Sequence, residues 1–215
     1  MKRTIQLAVA CVAVMFTVGQ VQAEVIFSLN NPDLSRNNTW SFGEIFTVGG
    51  QDLTVNSLGA FDANGDGFVT SGGIPVGIYL ESDQSLLVST NVMSSDPLIG
   101  NFRFGDISPL TLLSGEQYRV VAVNRDDLYN KTVNAYDVSS LVSYDGYGYG
   151  QFANLTFSNV FTGGTNTHGV WMANLDASPS TVPEPTSLAI FGIGALCMGA
   201  SAARRRRKEK QAAEA

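Results

Sequence analysis

The sequence predicts an all-β fold, a single antiparallel β-sandwich or jelly-roll-like domain over residues 24–178. Short runs of β-branched and aromatic residues alternate apolar with polar side chains, as half-buried strands do. Glycine, asparagine, aspartate and serine fill the gaps between these runs. No uninterrupted helical pattern of ten or more residues occurs between residues 24 and 182. The predicted strands are residues 24–29, 39–48, 52–58, 75–80, 85–90, 101–104, 117–123, 137–143, 152–157 and 169–173.

Two connections between strands are predicted to be hairpins. Residues 82–85 form a polar turn between two β-prone runs. Ser114 and Gly115 form a corner that leads into residues 117–123, the most hydrophobic run. About ten short strands at this spacing favour a sandwich or a barrel.

A signal helix is predicted before the domain, over residues 1–23. Lys2 and Arg3 provide a positive start, residues 5–18 are apolar, and residues 21–23 are small-x-small. We therefore expect export by the Sec translocon and cleavage after Ala23. A lipoprotein box ending at Cys11 is the alternative, but it leaves a short apolar segment.

Composition excludes several functions for the exported region. Both cysteines, Cys11 and Cys197, lie outside residues 24–182, so we expect neither disulfides nor cysteine catalysis there. Residues 24–182 contain five basic and sixteen acidic residues, a formal charge of −11. Because this charge repels phosphate backbones, we expect no nucleic-acid partner.

The C-terminal segment combines three physically different pieces, which we assign to a sorting region at residues 179–208. Pro183, Glu184 and Pro185 form a stiff, extended break. Residues 187–203 are seventeen uncharged residues, near the lower limit for a transmembrane helix. A basic stop then follows, and residues 209–215 are predicted to be a cytoplasmic tail. The stop consists of Arg204, Arg205, Arg206, Arg207 and Lys208.

This tail resembles the PEP-CTERM sorting signal of Gram-negative bacteria, the substrate tag of exosortase. The resemblance covers residues 182–208. It implies a precursor anchored in the inner membrane, which exosortase then processes for the cell surface or the extracellular space. It also implies an association with exopolysaccharide and biofilm, which makes exopolysaccharide an expected partner.

Residues 38–130 carry a second resemblance, to the ectodomains of many PEP-CTERM proteins and to sandwich modules beside carbohydrate-active domains. It rests on a Leu-Gly-x-x-Asp phrase ending at Asp62, on Val76, Ile78 and Tyr79, and on Gly115 with Tyr118. These are turn and core residues, so the resemblance implies a fold and no chemistry.

A half calcium loop begins at Asp62. Asp62, Asn64 and Asp66 occupy the first, third and fifth positions of a calcium-binding loop, with glycine at the sixth. Gly73 stands where a bidentate glutamate is needed. We therefore favour a β-turn, with weak calcium binding as the alternative and no other cofactor expected.

Tyr144, Tyr147 and Tyr149 alternate with glycines in residues 144–152, which we interpret as an aromatic loop. The rings either cap the edge of the domain or stack on sugar rings. His168, the only histidine, is interpreted as a loop residue, because no nucleophile elbow accompanies it. We expect no catalytic residues and no enzyme activity.

The sequence favours a structural protein of the cell surface or the extracellular matrix. A carbohydrate-binding module or adhesin is the second interpretation, and a surface glycoside hydrolase or esterase is a distant third. Binding of polysaccharides would support the second, and turnover of glycosidase or esterase substrates would support the third.

Overall fold

The computed structural model describes residues 23–35, 39–131, 136–164 and 170–180, and strands are the regular secondary structure of these residues. The strands are β1 (Glu24–Val25), β2 (Phe27–Leu29), β3 (Leu34–Ser35), β4 (Ser41–Val48), β5 (Leu53–Phe61), β6 (Ile74–Leu80), β7 (Leu86–Val92), β8 (Leu98–Ile99), β9 (Phe102–Leu112), β10 (Gln117–Val123), β11 (Tyr129–Asn130), β12 (Tyr136–Val138), β13 (Val142–Gly150), β14 (Phe161–Gly163) and β15 (Ala173–Pro179).

Two antiparallel sheets organise these strands. The first has the order β1-β15-β5-β9-β8, and the second has the order β14-β13-β4-β10-β6-β7. The short pairs β11-β3 and β12-β2 complete the described part of the chain. The prediction of an all-β, antiparallel fold is confirmed, whereas the jelly-roll-like topology stays a prediction.

Residues 1–22 of the predicted signal peptide lie outside the described residues, as do the predicted transmembrane helix, His168, the sorting motif and the basic stop. Among the residues that the structure does describe, none belongs to a helix with the length and apolarity needed to cross a bilayer.

The hydrophobic core lies between the two large sheets. In β4, Phe42, Phe46 and Val48 are buried, because alternate residues of a strand point to the same face. Leu58 and Leu175, on two neighbouring strands of the other sheet, belong to the same buried cluster. The sheets therefore pack as two layers around one core.

The topology confirms one of the two predicted hairpins and corrects the other. The turn at residues 82–85 does join a hairpin, β6 with β7, and Leu80 donates its amide to the Ser85 carbonyl. The corner at Gly115 does not join a hairpin, because the strand before it, β9, pairs with β5, whereas the strand after it, β10, pairs with β4 and β6. The chain crosses from one sheet to the other there.

The tyrosine- and glycine-rich segment at residues 144–152, which was interpreted as a loop, is mostly a strand. Residues 152–157, which were predicted to be a strand, do not form one. Most of the segment is β13, which pairs with β4 and β14. A side chain at Gly148 would collide with the guanidinium of Arg119 and with the carbonyl oxygen of Ser158. Glycine is needed there because a second segment packs directly on the strand.

That second segment is residues 151–160, which cover the outer face of the six-stranded sheet. Arg119 projects from this face and is 2% exposed. Its guanidinium donates to the Glu81 carboxylate at 2.9 and 2.5 Å and also to the Ser158 carbonyl oxygen. It lies 4.1 Å from the centre of the Phe157 ring. Arg119 therefore fastens the covering segment to the sheet.

Candidate functional site

The three tyrosines of β13 lie on the inner face of the sheet. A bulge between Tyr144 and Gly146 shifts the register by one residue. Tyr144, Tyr147 and Tyr149 therefore face the same side, opposite Phe46, Glu44 and Phe42 of β4, respectively. Without the bulge, Tyr144 would point away from the other two rings.

Tyr144 packs in an internal aromatic cluster. Its ring centre lies 5.9 Å from Phe27, 5.3 Å from Trp171 and 5.4 Å from Tyr136. Trp171 is fully buried. This arrangement favours packing for Tyr144 over stacking on a ligand.

Glu44 lies among these aromatic rings and is fully buried. It follows the alternation of β4, which places it on the inner face between Phe42 and Phe46. The Tyr144 hydroxyl donates to Glu44 Oε2 at 2.8 Å. Glu44 Oε1 is buried without a hydrogen-bond partner among the described residues. The alternation of inward- and outward-facing residues along β4 is the sequence signal that places Glu44 in the core. Glu44 was not among the site residues predicted from sequence.

Burial raises the pKa of Glu44 to about 8, although the Tyr144 hydrogen bond and the charge of Arg119 both act to lower it. The pKa of Tyr144 is raised by its burial and by the nearby Glu44. Glu44 is therefore mostly a neutral carboxylic acid at pH 7.

The Asp62 loop follows β5 and satisfies its own carboxylate. Asp62 is 3% exposed, and its two oxygens accept hydrogen bonds from the amides of Gly65 and Gly67 at 3.1 and 3.0 Å. Arg103 Nε also donates to Asp62 at 2.6 Å. Arg103 reaches the Gly65 carbonyl oxygen at 2.8 Å as well, so it closes the loop.

Asn64 and Asp66, the other two expected calcium ligands, are exposed. Within the described ranges, no group of three histidine, cysteine, aspartate or glutamate side chains could hold a metal ion. The positive charge beside Asp62 belongs to Arg103, and this observation supports the turn that the sequence favours.

We predict that millimolar calcium changes the melting temperature of the wild-type protein little. The reason is that Arg103 and two backbone amides already neutralise and bind the Asp62 carboxylate. Differential scanning fluorimetry, with and without calcium, measures the shift in wild type and in Asp62→Asn/Asp66→Asn. A calcium-dependent rise of several degrees in wild type, absent from the double variant, would show that the loop is a calcium site.

Asp127 supports the same loop, lines a pocket together with Asp62, and was not predicted as a site residue from sequence. It is 5% exposed, and it accepts hydrogen bonds from the amides of Val69 and Thr70 at 2.6 and 3.2 Å. The Thr70 hydroxyl donates to it at 2.7 Å. Both buried aspartates therefore hold backbone, which is a structural use of carboxylates.

Tyr149 lies in a second aromatic group that reaches the surface. Its ring is stacked on Phe161 with centres 5.1 Å apart and planes 26° apart. The ring centre of Trp40 lies 5.7 Å from that of Tyr149 and 6.4 Å from that of Phe161. Phe161 is 49% exposed, whereas Tyr147, which stacks on Tyr149, is 7% exposed. Of the three tyrosines, Tyr149 therefore has the environment closest to a ligand platform.

The predicted cleavage point, Ala23, is partly exposed and directly precedes β1. Glu24, the expected first residue of the mature chain, lies opposite Ala177 of β15. Cleavage after Ala23 would leave this strand intact.

Comparison with known proteins identifies one family model, the PEP-CTERM protein-sorting motif, at residues 181–207. The predicted sorting signal is confirmed, and exosortase is the processing partner that such a motif implies. No curated protein and no solved structure matches the chain, so the resemblance of residues 38–130 to other ectodomains has no support from a relative.

Proposed function

Since the chain carries a PEP-CTERM sorting motif, we propose that it is a structural protein of the cell surface or the extracellular matrix. The observation that carries the proposal is the position of this motif, residues 181–207, directly after β15, which ends at Pro179. Signal peptidase removes the N-terminal segment, the domain folds outside the inner membrane, and exosortase processes the C-terminal end.

The buried polar groups of the described domain support a structural role. Asp62, Asp127 and Arg119 all hold neighbouring backbone segments. The high acidic charge of residues 24–182 keeps such a domain soluble and repels anionic polymers. A matrix protein must stay folded outside the cell. Because residues 24–182 contain no cysteine, this domain relies on the burial of its side chains rather than on disulfides for stability.

We predict that Pro183→Ala/Glu184→Ala/Pro185→Ala is exported but remains full-length in the inner membrane. Three alanines remove the predicted extended break and let the helix predicted for the apolar tail continue towards the domain. Cell fractionation and mass spectrometry of the C-terminus distinguish processed from unprocessed protein, and they identify any attached group.

A matched control is Thr181→Ala/Thr186→Ala, which changes residues on either side of Pro-Glu-Pro and keeps Pro-Glu-Pro itself. We expect this control to be processed like wild type. Identical processing of the triple variant and wild type would refute the role of Pro-Glu-Pro and, with it, the proposed route to the surface.

A further inference from the structure

Three aromatic rings form a surface group at the β14 edge of the six-stranded sheet, and we call Trp40, Tyr149 and Phe161 the aromatic platform. Phe161 lies directly opposite Tyr149 in the pairing of β14 with β13, which explains their stacking. Trp40 immediately precedes β4, the other neighbour of β13. Phe161 is 49% exposed, and Trp40 and Tyr149 are partly exposed.

On its β13 and β14 side, the platform lies in an uncharged stretch of the chain. Residues 146–175 contain no aspartate, glutamate, lysine or arginine, although residues 24–182 as a whole have a formal charge of −11. The exposed polar side chains nearest in sequence to Tyr149 and Phe161 are neutral: Gln151, Asn159 and Thr162. A ligand of this surface would meet aromatic faces and neutral hydrogen-bonding groups.

We propose that the aromatic platform binds a neutral polysaccharide. Sugar rings have apolar C–H faces, which can cover exposed aromatic faces, and hydroxyl groups, which can pair with neutral amides and hydroxyls. The acidic remainder of the domain disfavours an anionic polymer. A lipid or a purely apolar partner would leave the polar side chains around the rings unpaired.

A neutral polysaccharide would be a partner of the proposed surface protein, but its binding to the platform does not depend on exosortase processing. Failure of the processing experiment would refute the route to the surface and leave the platform untouched. Failure of the binding experiment below would refute the platform and leave the sorting proposal untouched.

Native affinity electrophoresis of the full-length protein tests the proposal, in a detergent without a sugar head group. The gels contain hydroxyethyl cellulose, dextran or galactomannan, which are neutral, or carboxymethyl cellulose, which is anionic. We expect at least one neutral polymer to retard the wild type and carboxymethyl cellulose not to. We expect Phe161→Ala to bind roughly tenfold more weakly, which corresponds to about 1.4 kcal/mol.

Leu113→Ala is the matched control, because Leu113 is 54% exposed and lies near the far end of β4 from Trp40, where Gly115 donates its amide to the Val48 carbonyl. We expect it to migrate like wild type. Retardation by none of the neutral polymers, equal retardation by carboxymethyl cellulose, or equal retardation of wild type and Phe161→Ala would each overturn the proposal.

Tryptophan fluorescence gives a second readout. The chain has two tryptophans, and Trp171 is fully buried whereas Trp40 is partly exposed. The retarding polymer should protect Trp40 from acrylamide quenching, and Trp40→Phe should abolish this protection.

Analytical ultracentrifugation of wild type and Phe161→Ala completes the test. A dimer that becomes a monomer in the variant would assign the platform to a second copy of the chain and overturn the proposal.

Discussion

The wild-type protein is expected to lose stability as the pH rises from 4.5 to about 8, and Glu44→Gln is expected to remove most of this loss. Burial holds the Glu44 carboxyl group in its protonated form in the folded state, so its folded pKa lies above its unfolded value. Between these two values the unfolded chain has released the proton and the folded chain still holds it. The free energy of unfolding therefore falls as pH rises.

The expected effect is large for a single side chain. Each pH unit in this window changes the free energy of unfolding by about 1.4 kcal/mol for one proton. From pH 4.5 to about 8, Glu44 alone lowers it by roughly 4 to 5 kcal/mol. Typical domains have only about 5 to 15 kcal/mol in total.

Urea unfolding at several pH values between 4 and 9 measures the dependence in wild type and variant. The titratable and charged groups around Glu44 are Tyr144 and Tyr147 on β13, Arg119 on β10 and Tyr136 on β12. Burial raises the pKa values of Tyr136 and Tyr144 further above the window, so we assign the ionisation in the window to Glu44.

Glu44→Leu/Tyr144→Phe is the second variant, because Glu44→Gln places an amide nitrogen where Oε1 has no partner among the described residues. The double substitution removes both members of the hydrogen bond, which can be nearly neutral for stability. Both variants should show the same flattened pH dependence. A wild-type slope that persists in both would assign the proton uptake to other groups.

Much of the fold was readable from local sequence patterns. Alternation in β4 and β10 placed Phe42, Phe46 and Val120 on buried faces, and the polar turn at residues 82–85 correctly joined β6 to β7. Local patterns failed where a contact from a distant segment decides the conformation. The glycines of β13 resemble a loop in sequence, but Gly148 gives space to Arg119 and Ser158.

The chemistry of the candidate sites depended on distant residues even more strongly. The motif at Asp62 suggested calcium, but Arg103, 41 residues away, supplies the positive charge. The sequence drew attention to Tyr149 but not to Trp40 and Phe161, because strand pairing brings these three rings together. The sorting motif was recognisable because its pieces are contiguous in sequence.

Arg119→Ala is expected to destabilise the domain by about 3 to 5 kcal/mol, the usual cost of removing one partner of a buried ion pair. The side chains of Arg119 and Glu81 are 3% and 21% exposed, so the lower part of this range applies. The change leaves the Ser158 carbonyl oxygen without its guanidinium donor and removes the contact with the Phe157 ring. For a loss of about 3 kcal/mol in a domain of this size, the melting temperature should fall by roughly 6 to 12 °C.

The variant should also release residues 151–160 from the outer face of the sheet. Limited proteolysis with chymotrypsin, which cuts after aromatic residues, should cleave at Phe152 or Phe157 sooner than in wild type. Arg119→Lys keeps the charge but loses the two-pronged contact with Glu81, so we expect an intermediate melting temperature.

Arg125→Ala is the matched control, because it removes a partly exposed arginine from the loop after β10. We expect this control to lie within about 0.5 kcal/mol of wild type, as is usual for surface substitutions. A loss of less than 1 kcal/mol in Arg119→Ala, or unchanged cleavage at Phe152 and Phe157, would show that something other than Arg119 fastens the covering segment. The loss of stability and the faster cleavage, if they appear together, would show that Arg119 holds residues 151–160 on the sheet through Glu81 and Ser158. The same contact would then explain why β13 needs glycine at position 148 and why residues 152–157 do not form a strand.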